Sequence, residues 1–197
     1  RFSLNGEPVV AMAGLGAFAE YIVVPEISLA RIRADAPLDV VCYVACGVMT
    51  GVGAVLNGAK VEPGSSVVVF GAGGVGLNVV QAARLAGART IIAIDANPAK
   101  EAPARRFGAT HVIVAKTAGD LVAEIRDMTG GGADYSFECV GHPDLIRQAY
   151  ECVEPAWGLC TLLGVPPDGA RLAIEPSMVV TSGRRLQGSL MGSMRGP

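Results

Sequence analysis

Val67-Val68-Val69-Phe70-Gly71-Ala72-Gly73-Gly74-Val75-Gly76 is the stretch on which the fold turns. Its first four residues are apolar, three of them β-branched, and read as a short buried strand. Glycines then occupy the first, third and sixth places of G-x-G-x-x-G, and a helical pattern runs from Gly74 to Ala86 before Gly87 closes it. Each glycine answers a different demand. Gly71 permits the tight turn out of the strand, Gly73 leaves room for the backbone to approach a pyrophosphate, and Gly76 lets the helix pack against the strand. The helix start offers unpaired N–H groups and the positive end of its dipole to an anion. A bare G-x-G-x-x-G says little, but one lying between a strand and a helix points to a dinucleotide. The other phosphate loop, G-x-x-x-x-G-K-S/T, is absent because no lysine follows Gly76.

Outward from the loop the pattern is regular. Thr90 to Ile94 reads as a second strand and Ala99 to Phe107 as a helix with Pro103 in its first turn. Val112 to Val114 is a third strand and Asp120 to Met128 a helix, broken by Gly130-Gly131-Gly132. Tyr135 to Cys139, Gly158 to Leu163 and Arg185 to Leu190 complete six strands, with a helix over Pro143 to Cys152. Alternating strands and helices predict an α/β fold, a doubly wound six-stranded parallel sheet of the Rossmann type. Asp95 closes the second strand about 20 residues past the loop, where this fold places an acid on the adenosine ribose. A carboxylate there repels the extra phosphate of NADP and selects NAD. Lys100 stands within reach of the same ribose, although a surface lysine is ordinarily solvated.

Before the loop, Phe18 to Val24 reads as a strand stopped by Pro25, and Ile27 to Arg33 alternates weakly. Asp39 to Cys46 reads as a helix that resumes, after a break at Gly47, over Thr50 to Ala59. The composition is 51% hydrophobic and 17% charged, and the net charge of −2 leaves no basic footprint for nucleic acid. No apolar run is read as reaching the roughly 18 residues of a membrane span, and no signal peptide is read. Five cysteines, Cys42, Cys46, Cys139, Cys152 and Cys160, show no C-x-x-C spacing. They read as reduced thiols of a cytoplasmic protein.

Several stretches together resemble the medium-chain, zinc-dependent alcohol dehydrogenase family. They are Phe18-Ala19-Glu20-Tyr21-Ile22-Val23-Val24-Pro25-Glu26, Ala45-Cys46-Gly47-Val48-Met49-Thr50-Gly51, Val61 to Gly76, Asp134-Tyr135-Ser136-Phe137-Glu138 and Gly164-Val165-Pro166-Pro167. The resemblance implies that residues 1–47 are the C-terminal remnant of a β-rich, GroES-like catalytic domain and 48–197 the NAD-binding domain. It makes Cys46 a ligand of a catalytic zinc, which needs three protein ligands and one open position. His111 and His142 do not fall where the family's histidine ligand stands, so the site and the proton relay are expected to be incomplete and this stretch alone inactive. By the same resemblance Thr50 and Val75 approach the nicotinamide, Val140 lines the adenine pocket, and Leu163, Val165, Ser189 and Met191 meet the nicotinamide end. Core packing explains these apolar or small residues equally well. Glu138, after a strand, reads as a buried partner for backbone amides or for a helix end, with no catalytic role.

The implied reaction is hydride transfer between an alcohol and NAD with zinc as Lewis acid, the substrate being a small alcohol or aldehyde. The implied partner is a second copy, paired through the sixth strand. Two other readings stay open. One is a zinc-free quinone or enoyl reductase of the same superfamily, against which Asp95 and Cys46 argue. The other is a non-enzymatic NAD-binding module.

Overall fold

The computed structural model describes residues 2–10, 15–115, 117 and 119–194. The chain forms two compact units, one made by residues preceding Leu38 and one by Leu38–Met194.

In the first unit, β1 (Phe2–Leu4) pairs antiparallel with β2 (Glu7–Val9), with Phe2 opposite Val9. Asn5 and Gly6 join them, both at positive φ (54° and 84°). This is the backbone of the two-residue hairpin turn that Asn-Gly favours. The strand expected over Phe18 to Val24 does not form. That stretch is irregular, and Phe18, Tyr21 and Val23 are almost fully exposed. A strand exists only where a neighbour takes up its N–H and C=O groups, and no described segment pairs with this one. Ile27 lies in a single 3₁₀ turn, Glu26–Ser28, rather than in an alternating strand.

The second unit opens with a helical rod, α1 (Leu38–Ala59). The break expected at Gly47 is absent. Glycine weakens a helix by about 1 kcal/mol without ending it, and the rod accommodates the strain by widening. Val48 N–H donates to Tyr43 C=O at 3.2 Å, a π-type turn, and Ala54–Ala59 repeats that geometry. The undivided rod is 22 residues long with mean hydropathy 1.8, long and apolar enough by those measures to cross a bilayer, contrary to the divided reading. Its two halves differ in surroundings. Leu38, Tyr43 and Val44 are exposed, whereas Thr50, Gly51, Gly53, Ala54, Val55 and Ala59 are buried.

Strand and helix then alternate. The elements are β3 (Ser66–Phe70), α2 (Gly74–Leu85), β4 (Thr90–Asp95), α3 (Glu101–Phe107), β5 (His111–Val114), α4 (Leu121–Thr129), β6 (Tyr135–Glu138), α5 (Pro143–Glu151), β7 (Leu159–Leu162), α6 (Pro176–Ser182) and β8 (Arg185–Gly188). Local chemistry sets their ends. The Asp120 carboxylate accepts from Ala123 N–H at 3.1 Å and caps α4, and Gly130, left-handed at φ 74°, ends it. Pro143 takes the first position of α5, where its missing N–H costs nothing.

The sheet is parallel throughout, in the order β5-β4-β3-β6-β7-β8. Alternate residues of β3 feed opposite faces, as strand geometry requires. Val67 and Val69 join Val55, Val79, Val80 and Phe137 on one side. Val68 and Phe70 join Ile92, Ile125, Tyr150 and Cys160 on the other.

Candidate cofactor crevice

In an open parallel sheet a ligand binds beyond the carboxyl ends of the strands, where the strand order reverses. Here that point lies between β3 and β6, and the glycine loop occupies it. Gly71 has φ +92° and donates its N–H to Ile94 C=O at 2.8 Å. A Cβ on Gly71 would stand 2.6 Å from Val140 Cγ2. At Gly76 a Cβ would fall 1.8 Å from Gly71 C=O, so loop and helix meet backbone to backbone. Gly73 and Gly74 face open space, with nothing within 4 Å of the Cβ either would carry. The first N–H bonded back along the chain is that of Leu77, to Gly73 C=O at 2.9 Å. The N–H groups of Gly74, Val75 and Gly76 therefore precede the intrahelical ladder and remain available to an anion. This cradle fits a pyrophosphate.

Asp95 stands beside it. One carboxylate oxygen accepts from Ala72 N–H at 2.9 Å and the other from Asn97 N–H at 2.8 Å. Asp95 thus ties the second strand's end to the loop and keeps further lone pairs for a ribose. Asn97 Oδ1 accepts from Ala99 N–H at 3.0 Å, and Lys100 ends that short turn half-buried.

The opposite wall is organised by Glu138, which is fully buried. Its carboxylate accepts from Val140 N–H and Gly141 N–H, both at 2.9 Å. Burial pushes its pKa up, opposed by those N–H donors and His142. The Glu138 C=O accepts from Leu163 N–H at 2.8 Å and Gly164 N–H at 3.0 Å. The loops after β6 and β7, carrying Val140, Leu163 and Val165, are thereby held together. Val140 and Val165 are exposed on them.

A third wall joins α1 to the turn after β8. A Cβ on Gly51 would stand 2.7 Å from Val75 C=O. One on Gly53 would run into the Gly192 backbone, and one on Gly192 into Met49 C=O. Thr50 and Ser189 are buried, while Met191 is partly exposed in a left-handed conformation at φ 48°. Backbone contacts of their neighbours thus bring Thr50, Val75 and Met191 into one region. The spacing of the chain around the G-x-G motif did not single out Gly51, Gly53, Ala72, Asn97, Gly164 or Gly192. Only the Gly51-Val52-Gly53 pair within a helical stretch hinted at a close approach.

Cys46 is exposed on α1, four residues before Thr50. Among the described residues no group of three His, Cys, Asp or Glu is placed to hold a metal. His111 begins β5 beside Thr110 Oγ1, and His142 Nδ1 accepts from Asp144 N–H at the start of α5. A catalytic zinc requires three protein ligands, so the described residues do not form a zinc site on their own.

The family model for zinc-binding dehydrogenases matches residues 74–196. S-(hydroxymethyl)glutathione dehydrogenase of Paracoccus denitrificans is 47% identical over 203 residues, covering 100% of this chain and 54% of that protein. The crystal structure of an alcohol dehydrogenase zinc-binding domain protein from Burkholderia ambifaria superposes with a TM-score of 0.85 at 38% identity, over 90% of this chain and 48% of that one. Benzyl alcohol dehydrogenase of Acinetobacter calcoaceticus gives a TM-score of 0.86 at 34% identity, over 91% and 49% of the two chains. The chain spans about half the length of the curated relatives it matches.

Proposed function

The chain belongs to the zinc-binding dehydrogenase family, and on that premise we propose that it supplies the NAD-binding part of a cytoplasmic alcohol dehydrogenase. The observation that carries the proposal is the open cradle at Gly73 and Gly74 with Asp95 bonded beside it. In this reading 48–197 is the NAD-binding domain and 1–47 the closing part of a GroES-like catalytic domain. Gly71, Gly73, Gly74, Val75 and Gly76 hold the pyrophosphate, and Asp95 with Lys100 the ribose. Val140 lines the adenine side. Thr50, Leu163, Val165, Ser189 and Met191 flank the nicotinamide.

Bound NAD supplies the hydride acceptor for an alcohol and, reduced, the donor for an aldehyde. This chain's own part is positional. The N–H groups of Gly74, Val75 and Gly76 fix the phosphates, Asp95 fixes the ribose, and the interlocked α1 and post-β8 turn limit where the ring can lie. Cys46 would give one sulfur ligand to a catalytic zinc, which would supply Lewis-acid polarisation of the alcohol or aldehyde oxygen and needs three protein ligands in all. The substrate class is an alcohol or aldehyde, and the names of the most similar relatives favour a hydroxymethyl adduct of glutathione. β8 lies at the sheet edge with Arg185 and Leu186 exposed, which supports pairing with the same strand of a second copy.

The test is titration of the chain with NADH and NADPH, followed by nucleotide fluorescence. NADH is expected to bind at least about tenfold more tightly, because the Asp95 carboxylate opposes the 2′-phosphate. Equal affinities would remove Asp95 from the ribose site, and no binding of either would remove the nucleotide reading.

A further inference from the structure

At the other end of the sheet, by the amino ends of the strands, two arginines converge on the end of α5. Arg126, on α4, donates from Nη2 to Glu151 C=O at 2.7 Å. Arg184, the residue before β8, donates from Nε to Val153 C=O at 2.7 Å. These carbonyls are two residues apart, so the guanidinium groups meet across one helix end. Both arginines are half-buried, and among the described residues neither has a carboxylate within ion-pair distance. The nearby Glu151 carboxylate is already held by Arg147 at 3.0 Å.

Two polar atoms at this place are sealed from solvent and lack a partner. One is Arg126 Nε and the other is the hydroxyl of Tyr150, a residue only 1% exposed. Burial and the Arg126 charge both push the Arg184 pKa down, and the Tyr150 phenol, the Cys152 thiol and the Glu151 carboxylate oppose that. The two guanidinium groups reach the backbone carbonyls of Glu151, which closes α5, and of Val153 just beyond it, and the third buried atom without a partner, Glu154 Oε2, lies one residue further on. A water molecule would satisfy a hydroxyl but would leave two like charges to be offset only by the Glu151 carboxylate, which Arg147 already engages. An oxyanion answers all three groups, since guanidinium forks match its geometry.

We propose that Arg126, Arg184 and Tyr150 form a seat for a small inorganic oxyanion of the phosphate type, separate from the nucleotide crevice. The seat joins α4, the end of α5 and the start of β8. It does not depend on the nucleotide reading, because the glycine loop lies at the opposite ends of the strands.

The experiment is thermal unfolding and calorimetric titration of the intact chain with inorganic phosphate. Ionic strength is held constant with sodium chloride, and each series is run with and without saturating NADH. Expected is a saturable rise in Tm that persists with NADH present. Tyr150→Phe should weaken phosphate about fivefold and Arg126→Gln at least about tenfold, each measured against that variant's own phosphate-free Tm. Tyr150→Phe removes one oxygen and no packing, so it keeps the test readable should Arg126→Gln fold poorly. Three results would overturn the seat. They are a rise that follows ionic strength without saturating, a rise abolished by NADH, or equal affinities in wild type and Tyr150→Phe.

Discussion

Gly76→Ala is the sharpest perturbation of the cofactor crevice. The new methyl would stand 1.8 Å from Gly71 C=O, where real Cβ atoms come no nearer than 3.0 Å, and 3.4 Å from Val69 Cγ1. Relief requires α2 or the loop to move by about 1.2 Å, and neither neighbour is a flexible side-chain end, so overpacking of about 1–3 kcal/mol is expected. For a domain of this size, where 1 kcal/mol shifts Tm by about 2–4 °C, that is a fall of about 2–12 °C. The same displacement swings the N–H groups of Gly74 and Val75 off the phosphates. Losing one N–H bond to a charged acceptor is worth about 1.5–3 kcal/mol, so NADH should bind about tenfold to a hundredfold more weakly. The assays are urea or thermal unfolding and NADH fluorescence titration. Gly74→Ala is the stability control, since its methyl meets nothing within 4 Å. Its unliganded Tm should hold or rise slightly. If Gly76→Ala bound NADH within twofold of wild type, the loop would not be the phosphate cradle.

Asp95→Gly should bring the NADH and NADPH affinities within about threefold of each other by calorimetry, and should cost stability because Ala72 and Asn97 lose their acceptor; an unchanged preference would assign selection elsewhere. Glu138 has a raised pKa in the folded chain. The folded state therefore holds its proton more tightly than the unfolded state, and this group's contribution falls as pH rises from the ordinary glutamate range through the raised value. Glu138→Gln should flatten that part of the stability–pH curve, and an identical slope in both proteins would contradict the burial argument. Burial pushes the Cys160 thiol up to about 12 and the Cys152 thiol higher still, while Cys42 and Cys46 are exposed. Maleimide labelling read by intact mass should modify Cys42 and Cys46 within minutes and spare Cys152 and Cys160 until denaturant is added. Leu186→Pro should shift any dimer to monomer in light scattering, since proline cannot donate to an edge ladder; a dimer indifferent to it would mean a different interface.

From β3 onward the strands and the helices up to α5 are legible in the sequence because their signals are local, whereas the short α6 (Pro176–Ser182) is not and that stretch reads as loop. Valine runs, helical spacing and glycine or asparagine punctuation all act within a few residues, and Pro103 and Gly130 fall where the helices tolerate or end on them. The glycine loop is legible for a chemical reason, since close approach to phosphate demands glycine at fixed spacing. What escaped depends on distant partners or on small energy differences. Phe18 to Val24 carries the right residues for a strand, but a ladder needs a neighbour that no local pattern specifies. Gly47 looked like a stop, yet in an α-type conformation it merely weakens the rod. Asn5-Gly6 carries a local hairpin signal, but the strands it joins are three residues each, too short to show a period. Gly53 and Gly192 interlock from far ends of the unit, and nothing near either one announces the other.

The position of β3 has a consequence for the order in which the chain is made. It is the earliest strand of the parallel sheet to be synthesised, yet it lies in the middle, with β4 on one side and β6 on the other. The first side can close almost at once. The second must wait for Asp134, whose carboxylate accepts from Ser66 N–H and Ser66 Oγ, each at 2.7 Å, across 68 residues. At a synthesis rate of about 5–20 residues per second, that interval is roughly 3–14 s. Throughout it the three valines of β3 present an open edge to the crowded surroundings of a nascent chain. The protein's greatest exposure to misassociation therefore falls during its own translation, in the interval before its second half arrives.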